Sequence, residues 1–324
     1  MASETATIEL SVVIPVFNEE KVLHELIARL LTACERISSR FELIFVNDGS
    51  ADATLQKLKE HAKADNRIKF IGFSRNFGHQ SAVMAGIRHS KGEAVVLIDG
   101  DLQDPPELIP ELYAEFKKGY KVVYAKRVHR KGETFFKKVT ARLFYRTLKK
   151  IISFDIPLDT GDFRLISREV VTHLVSMGES GRFLRGQIAW LGFGQIGVEF
   201  ERQERKAGKT KYTFRKMMRF AMDGITSFSN FPLQIATFLG FLFSLVSFFI
   251  ILYALYSKFV LSEVVTGWTS IIISSMFIGG VQLLCIGIIG EYISRISVDV
   301  KKRPMFVIEE TNCSQASDPP EKTV

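Results

Sequence analysis

The chain has 324 residues, with 43 Lys and Arg against 35 Asp and Glu for a formal net charge of +8, and 47% of its residues are hydrophobic. The apolar residues are unevenly placed: residues 224–257 and 264–290 contain no charged side chain, while the part before them has an ordinary soluble composition. That distribution argues against global disorder, a collagen-like repeat and a purely soluble protein. Cys34, Cys285 and Cys313 stand without pair spacing, which excludes a disulfide framework or a zinc cluster and points to a reducing compartment for the main domain. The N-terminus lacks a basic run and its first apolar stretch is broken by Pro15. No signal peptide is expected, and the part ahead of the apolar region should stay in the cytosol.

Up to residue 125, short stretches rich in Val, Ile, Leu or Phe alternate with helical patterns. Strands are predicted at 8–14, 41–46, 68–73, 94–98 and 121–124, and helices at 19–37, 52–63, 78–88 and 106–117. Asp52 is a candidate cap for the second helix, and Pro105 and Pro106 suit a helix start. Such alternation predicts βα units on a mostly parallel sheet, with the site at the C-terminal ends of its strands. Four polar clusters fall there: Asn18-Glu19, Asn47-Asp48-Gly49-Ser50, Ser74-Arg75-Asn76 and Asp99-Gly100-Asp101.

Residues 126–150 carry ten Lys or Arg and one Glu, with Phe135, Phe136, Val139, Leu143, Phe144 and Leu148 at helical spacing. Two readings stand: a helix that approaches an anionic surface, or a solvated helix packed on the sheet. Residues 159–164 read as a polar turn before a short strand, followed by helices near 168–177 and 183–191 and a strand at 194–200 that returns to the sheet. Residues 201–219 hold eight basic residues and two Glu; within them 205–212 form an electropositive loop, and 214–231 continue as an amphipathic juxtamembrane segment. Spans are predicted at 235–256 and 269–290, each long enough at about 1.5 Å per residue to cross a hydrocarbon core of roughly 30 Å. The segment between them is electrically neutral and both outer flanks are basic. The positive-inside rule therefore puts both termini in the cytosol around a short outer hairpin; the alternative is a helical pair buried in a soluble core. Gly240, Gly279, Gly280, Gly287 and Gly290 offer close-packing surfaces, either between the spans or in a homo-oligomer. The last dozen residues are expected to be disordered. The divisions are thus 1–200, 201–232, 233–292 and 293–324.

The predicted strand at 94–98 delivers Asp99 and Asp101, whose spacing puts both carboxylates on one side of an extended chain. Two such groups suit Mg²⁺ or Mn²⁺, which take oxygen ligands and bridge substrate phosphates, so a nucleoside diphosphate is the expected ligand class. Asp-x-Asp alone is a weak signal; the apolar strand before it and Leu102-Gln103-Asp104-Pro105-Pro106 after it strengthen the reading. Asp48 ends another strand, either to accept from a base or ribose or to serve as a turn residue or cap. Pro15, Phe17 and Glu19 could form a wall for a nucleoside. No Gly-x-Gly-x-x-Gly or Walker A sequence is present, which argues against a dinucleotide oxidoreductase and a P-loop ATPase.

With these residues in place the chain resembles the inverting glycosyltransferases of family 2, and among them the polyisoprenyl-phosphate glycosyltransferases, which include dolichol-phosphate mannosyltransferase and bactoprenol glucosyltransferase. The resemblance is carried by residues 11–20 (SVVIPVFNEE), 46–50 (VNDGS), 74–80 (SRNFGHQ), 99–107 (DGDLQDPPE), 159–164 (DTGDFR) and 205–212 (RKAGKTKY), and runs from residue 8 to about 300. It implies an α/β fold of the GT-A kind, a nucleotide-sugar-binding domain with a mostly parallel central sheet, followed by amphipathic juxtamembrane helices and two transmembrane helices. It also implies roles: Pro15, Phe17, Glu19 and Asp48 hold the nucleoside, and Asp99 and Asp101 face ribose and diphosphate. Asp101 is the principal Mg²⁺ or Mn²⁺ ligand, with Gln103 completing the shell, and Arg127 approaches the donor diphosphate. Asp162, within 159–164, joins the catalytic set, and Arg205, Lys209 and Lys211 meet the acceptor phosphate. The Glu-Asp pair and Gln-x-x-Arg-Trp motif of polysaccharide-building members are absent, which argues against a processive polymerase.

The activity implied is transfer of one hexose, glucose from UDP-glucose, to a polyprenyl phosphate such as undecaprenyl phosphate at the inner (plasma) membrane. The alternatives are mannose, N-acetylglucosamine, galactose or a modified arabinose as the sugar, or an inactive membrane scaffold. A nucleic-acid partner is not expected: no such motif is present, and the basic residues cluster beside the spans, where anionic lipids attract them.

Overall fold

The computed structural model describes residues 8–127, 160–177, 183–200, 231–259 and 267–314. The chain divides into two units, one of Met1–Lys149, Ser153–Tyr212 and Arg303–Val324, the other of Lys150–Ile152 and Thr213–Lys302.

In the first unit, the described residues form one sheet of eight strands: β1 (Leu10–Val16), β2 (Phe41–Asn47), β3 (Ile68–Phe73), β4 (Ala94–Leu97), β5 (Val122–Arg127), β6 (Thr160–Ser167), β7 (Gln195–Phe200) and β8 (Ile308–Thr311), in the order β7-β5-β6-β4-β1-β2-β3-β8. β1 pairs parallel with β2 and β4, and β2 with β3. β6 runs antiparallel between β4 and β5, and β5 pairs parallel with β7. The sheet is the mostly parallel α/β arrangement expected from the sequence.

Helices cover both faces, so the central strands read as near-continuous apolar runs. Alternation along each strand divides the core. Val12 and Ile14 of β1 pack with Leu23, Leu26 and Leu30 of α1 (Leu23–Glu35). Val13 packs on the other face with Val83, Met84 and Ile87 of α3 (His79–His89). The remaining helices of this unit are α2 (Thr54–Ala64), α4 (Ile109–Lys117, preceded by a 3-10 turn at Pro106–Leu108), α5 (Arg168–Ser176) and α6 (Leu184–Trp190). α1 starts later than the periodicity predicts, because Val22 and Leu23 donate to the Glu19 carbonyl in a turn. Asp52 accepts from the Thr54 N–H at 3.0 Å at the start of α2, close to the predicted cap.

One reading is corrected and one strand is added. Residues 160–164 are not a turn but the first half of β6, a central strand. Phe163 and Leu165 point into one core and Ile166 into the other, the period of a strand buried on both faces. β8, which no pattern announced, closes the far edge antiparallel to β3. The tail expected to be disordered lies outside the described residues beyond 314, as do 128–159 and 201–230.

In the second unit, α7 (Phe231–Phe259) and α8 (Trp268–Val300) extend past both predicted spans. At about 1.5 Å per residue each exceeds a hydrocarbon core of roughly 30 Å, so both are long and apolar enough to cross a membrane. Their large apolar side chains face outward: Phe241 is 71% exposed, Met276 75% and Leu283 72%. That exposure removes the alternative of a helical pair buried in a soluble core and fits association with a membrane. The helices contact each other in antiparallel sense, Phe243 with Phe277 (ring centroids 5.2 Å apart) and Cys285 with the Ala236 carbonyl.

Candidate active site

Parallel pairing brings the C-terminal ends of β1 to β4 to one edge of the sheet, and the four polar clusters with them. The loops there are fastened to one another. The Asn18 N–H donates to Ser50 Oγ at 2.9 Å, and Asn18 Oδ1 accepts from the Ala51 N–H at 2.8 Å, holding Asn18 at φ +58°. Glu19 donates its N–H to Thr54 Oγ1 at 3.0 Å. Pro15 is buried, and Phe17 keeps 46% of its surface open beside it. Gly100 is required where it stands: a Cβ there would meet Val16 Cγ1 at 2.8 Å and the Pro15 carbonyl at 3.0 Å. The loop with Asp99 and Asp101 is therefore pressed against the end of β1.

Asp48, 4% exposed, accepts from the backbone N–H groups of Phe77 at 2.7 Å and Gly78 at 3.0 Å. Burial raises its pKa, and those two donors offset part of the rise. Its carboxylate thus organises the 74–78 loop that leads into α3.

The antiparallel register of β4 and β6 ends with Leu97 opposite Arg164; Asp99 lies two residues past the one and Asp162 two residues before the other. His79, the first residue of α3, stands between them. Its Nε2 lies 3.1 Å from Asp162 Oδ2 and 3.6 Å from Asp99 Oδ1. Arg185 of α6 donates through Nε to Asp162 Oδ1 at 2.7 Å. Arg164, fully buried beside it, donates to the Gly161 carbonyl at 3.0 Å.

The two carboxylates have opposite electrostatics. Asp99 is pushed up to about 6, first by loss of water and then by the charges of Asp162, Asp104 and Asp101, with His79 opposing. Asp162 is also desolvated, but its bond to His79 and the guanidinium groups of Arg185 and Arg164 hold it well below the usual carboxylate range. Desolvation disfavours a charged His79, yet the hydrogen bond to Asp162 and the two carboxylates outweigh it and its pKa is raised. Burial lowers Arg164 to about 10, still charged at neutral pH.

Asp101 accepts from the Gln103 N–H at 3.1 Å, and Gln103 is buried. Among the described residues no group of three or more His, Cys, Asp or Glu forms a ready cage for a metal. Mg²⁺ and Mn²⁺ do not need one, since they keep waters and take substrate phosphates beside one or two carboxylates. Asp99 and Asp101 offer carboxylate oxygens and Gln103 an amide oxygen, the kind of donor such an ion takes.

The structure therefore brings together Asp99, Asp101, Gln103 and Asp162, with Asp48 one loop away and Pro15, Phe17 and Glu19 at the adjoining strand end. Arg127 is the last residue of β5, and its backbone pairs with Phe200 of β7. Arg205, Lys209 and Lys211 lie outside the described residues. Sequence reasoning gave no role to His79 and Arg185. His79 lay inside a quoted motif and Arg185 in none; their partner Asp162 is remote in sequence.

Comparison with known proteins supplies the family. Residues 11–175 match the family described as Glycosyl transferase family 2. An uncharacterized glycosyltransferase of Bacillus subtilis is 48% identical over 94% of this chain and 94% of its own length. Another, of Synechocystis, is 44% identical over 94% of this chain and 96% of its own. The prophage-derived bactoprenol glucosyl transferase of Shigella flexneri is 39% identical over 94% of this chain and 98% of its own. With the family match spanning half of the chain and likeness to these relatives running nearly end to end, the protein belongs to glycosyl transferase family 2.

Proposed function

We propose that the protein transfers one glucose, with inversion, from UDP-glucose to a polyprenyl phosphate such as undecaprenyl phosphate. The observation that carries this reading is the 39% identity to the bactoprenol glucosyl transferase over 94% of this chain and 98% of that protein. The charge pattern of the site agrees with it. A phosphate monoester has a second pKa of about 6, so this acceptor is already ionised at neutral pH and needs positioning more than deprotonation. Asp162, held in its ionised form by His79, Arg185 and Arg164, is a weak base and suits an acceptor of that kind.

In this mechanism Pro15, Phe17, Glu19 and Asp48 cradle the nucleoside. Asp99, Asp101 and Gln103 would hold Mg²⁺ or Mn²⁺, which when bound neutralises charge on the departing diphosphate. In this reading Arg127 would bind that diphosphate, and Asp162 would order the sugar side of the cleft. Arg205, Lys209 and Lys211 clamp the acceptor phosphate through charge-assisted bonds. A phosphate oxygen attacks the anomeric carbon on the face opposite the nucleotide. The carbon–oxygen bond to the diphosphate breaks, and UDP leaves with the electron pair, so an α-linked donor gives a β-linked lipid phosphate.

The same reading places the protein in the plasma membrane with two spans, the catalytic domain and both termini cytosolic. A Thr266→Cys variant should then react with an impermeant thiol reagent added from outside; labelling only after rupture would reverse this topology.

A donor panel tests the chemistry. Purified full-length protein, undecaprenyl phosphate and Mg²⁺ or Mn²⁺ should yield lipid-linked glucose from UDP-glucose. Turnover confined to the GDP-mannose, UDP-N-acetylglucosamine or UDP-galactose arms would replace the sugar, and none with any donor would overturn the reading. Arg205→Ala should raise acceptor KM by about tenfold to a hundredfold and leave donor affinity alone.

A further inference from the structure

The 74–78 loop carries the two N–H groups that hold Asp48 and leads into His79. It is gripped from outside the parallel core, by the segment that follows α8. Val307 accepts from the Ser74 N–H at 3.1 Å. The ring of Phe306 stacks on Phe73, centroids 5.1 Å apart and planes at 10°. Phe73 in turn meets Phe77 edge-on at 5.7 Å. The guanidinium of Arg75 lies 3.9 Å above the Phe77 ring, and that of Arg88 lies 5.7 Å from Phe306. Beyond it, β8 is fixed to β3: Asn312 Oδ1 accepts from the Phe70 N–H at 2.7 Å, Thr311 donates to the Phe70 carbonyl at 2.8 Å, and Glu310 pairs with Lys59 at 2.5 Å. One aromatic stack thus runs from the segment after α8 to the residue whose N–H bonds Asp48.

We propose that Phe306 is a positioning residue for the donor site: through Phe73 and Phe77 it holds the 74–78 loop in the conformation that fixes Asp48 and presents His79 to Asp99 and Asp162. The core of β3 and α3 shares this restraint with Phe306: Phe77 and Phe306 pack against the same cluster of Ile71, Phe73, Ala82 and Ala85, and the backbone of Arg75 and Asn76 rests on Gly49. Ser74, Arg75 and Asn76 are exposed, Gly78 sits at φ +98° with open space where a Cβ would point, and Phe77 is only partly buried. A loop with three exposed residues in a row belongs to the low-stability end of a structure unless its neighbours clamp it. Phe306 does so by ring stacking, a contact with defined geometry.

The consequence for nucleotide-sugar binding rests on the function proposed above; the consequence for the loop does not. The test is hydrogen exchange of the Phe77 and Gly78 amides in the full-length protein in detergent, with UDP-glucose KM measured in parallel. Phe306→Ala should speed exchange at these amides by about tenfold while residues 10–16 and 94–97 exchange as before. Donor KM should rise by a similar factor, about tenfold, with kcat changed far less. Phe306→Tyr, which keeps the ring, should behave as native, and Phe306→Leu, which keeps apolar volume without a ring, should resemble the alanine variant. If the alanine variant does not fold, the leucine variant carries the test. Native exchange at Phe77 and Gly78 in a folded leucine or alanine variant overturns the proposal. Faster exchange in a protein whose native form transfers no sugar leaves Phe306 as the positioning residue and removes the sugar-transfer reading alone.

Discussion

The parallel half of the sheet and its antiparallel insert each bring one aspartate to the same histidine, and they treat it in opposite ways. Asp99, two residues past β4, is stripped of water, surrounded by other carboxylates and pushed up to about 6. Asp162, near the start of β6, is backed by Arg185 and Arg164 and held far down. The residue type is the same; the neighbours set the chemistry. The parallel half gathers carboxylates, the side where the proposed cation and diphosphate would sit. The antiparallel insert is a carboxylate whose charge is already answered by the protein.

The largest effect should come from taking a carboxylate out of the negative side. Asp101→Ala should lower turnover by about 10²–10³-fold, as removal of a group that stabilises developing charge does, with the fold intact by circular dichroism. Near-native turnover at saturating UDP-glucose would mean the negative side is not where the cation works. On the other side, Arg185→Ala removes a 2.7 Å charge-assisted bond from Asp162. Loss of about tenfold to a hundredfold in kcat is expected, with partial rescue by lysine, which cannot reproduce the guanidinium geometry. Unchanged kcat would show that Asp162 needs no answering charge.

The smallest effect is on stability and has the opposite direction to activity. In chelator, unfolded Asp99 titrates near an ordinary ~3.9, while the folded protein holds its proton up to about 6. Between those values the folded state binds the extra proton, so stability falls as pH rises through the window. Asp99→Asn should abolish that slope and stabilise the metal-free protein by about 1–3 kcal/mol at pH 7, read as a higher Tm, while losing activity. A variant no more stable than the native protein would mean that Asp99 carries no such penalty.

Much of the negative side is legible in the sequence. An apolar run ending in Asp99-Gly100-Asp101 names a strand and its cargo together, and parallel strands place their ends on one edge whatever the loop details. The antiparallel side is not legible in the same way. Gly161, Asp162 and Arg164 have turn-like composition, and only burial on both faces by Phe163, Leu165 and Ile166 shows the segment to be a central strand. His79 and Arg185 act through a partner 83 and 23 residues away, a relation that no local pattern carries. The short β8 has alternating partial exposure, and its pairing to β3 is set by Asn312 and Thr311 rather than by an apolar run.

That edge strand imposes an order on biosynthesis. The bond from Phe70 to Asn312 spans 242 residues, with both apolar helices between them. At about 5–20 residues per second, a ribosome finishes β3 roughly 10–50 s before β8 emerges. During that interval the nascent sheet presents an unpaired edge while the two apolar helices are still being made. If the helices cross a membrane as proposed, a defect in their insertion should surface in the other unit, as self-association of the half-finished domain through β3.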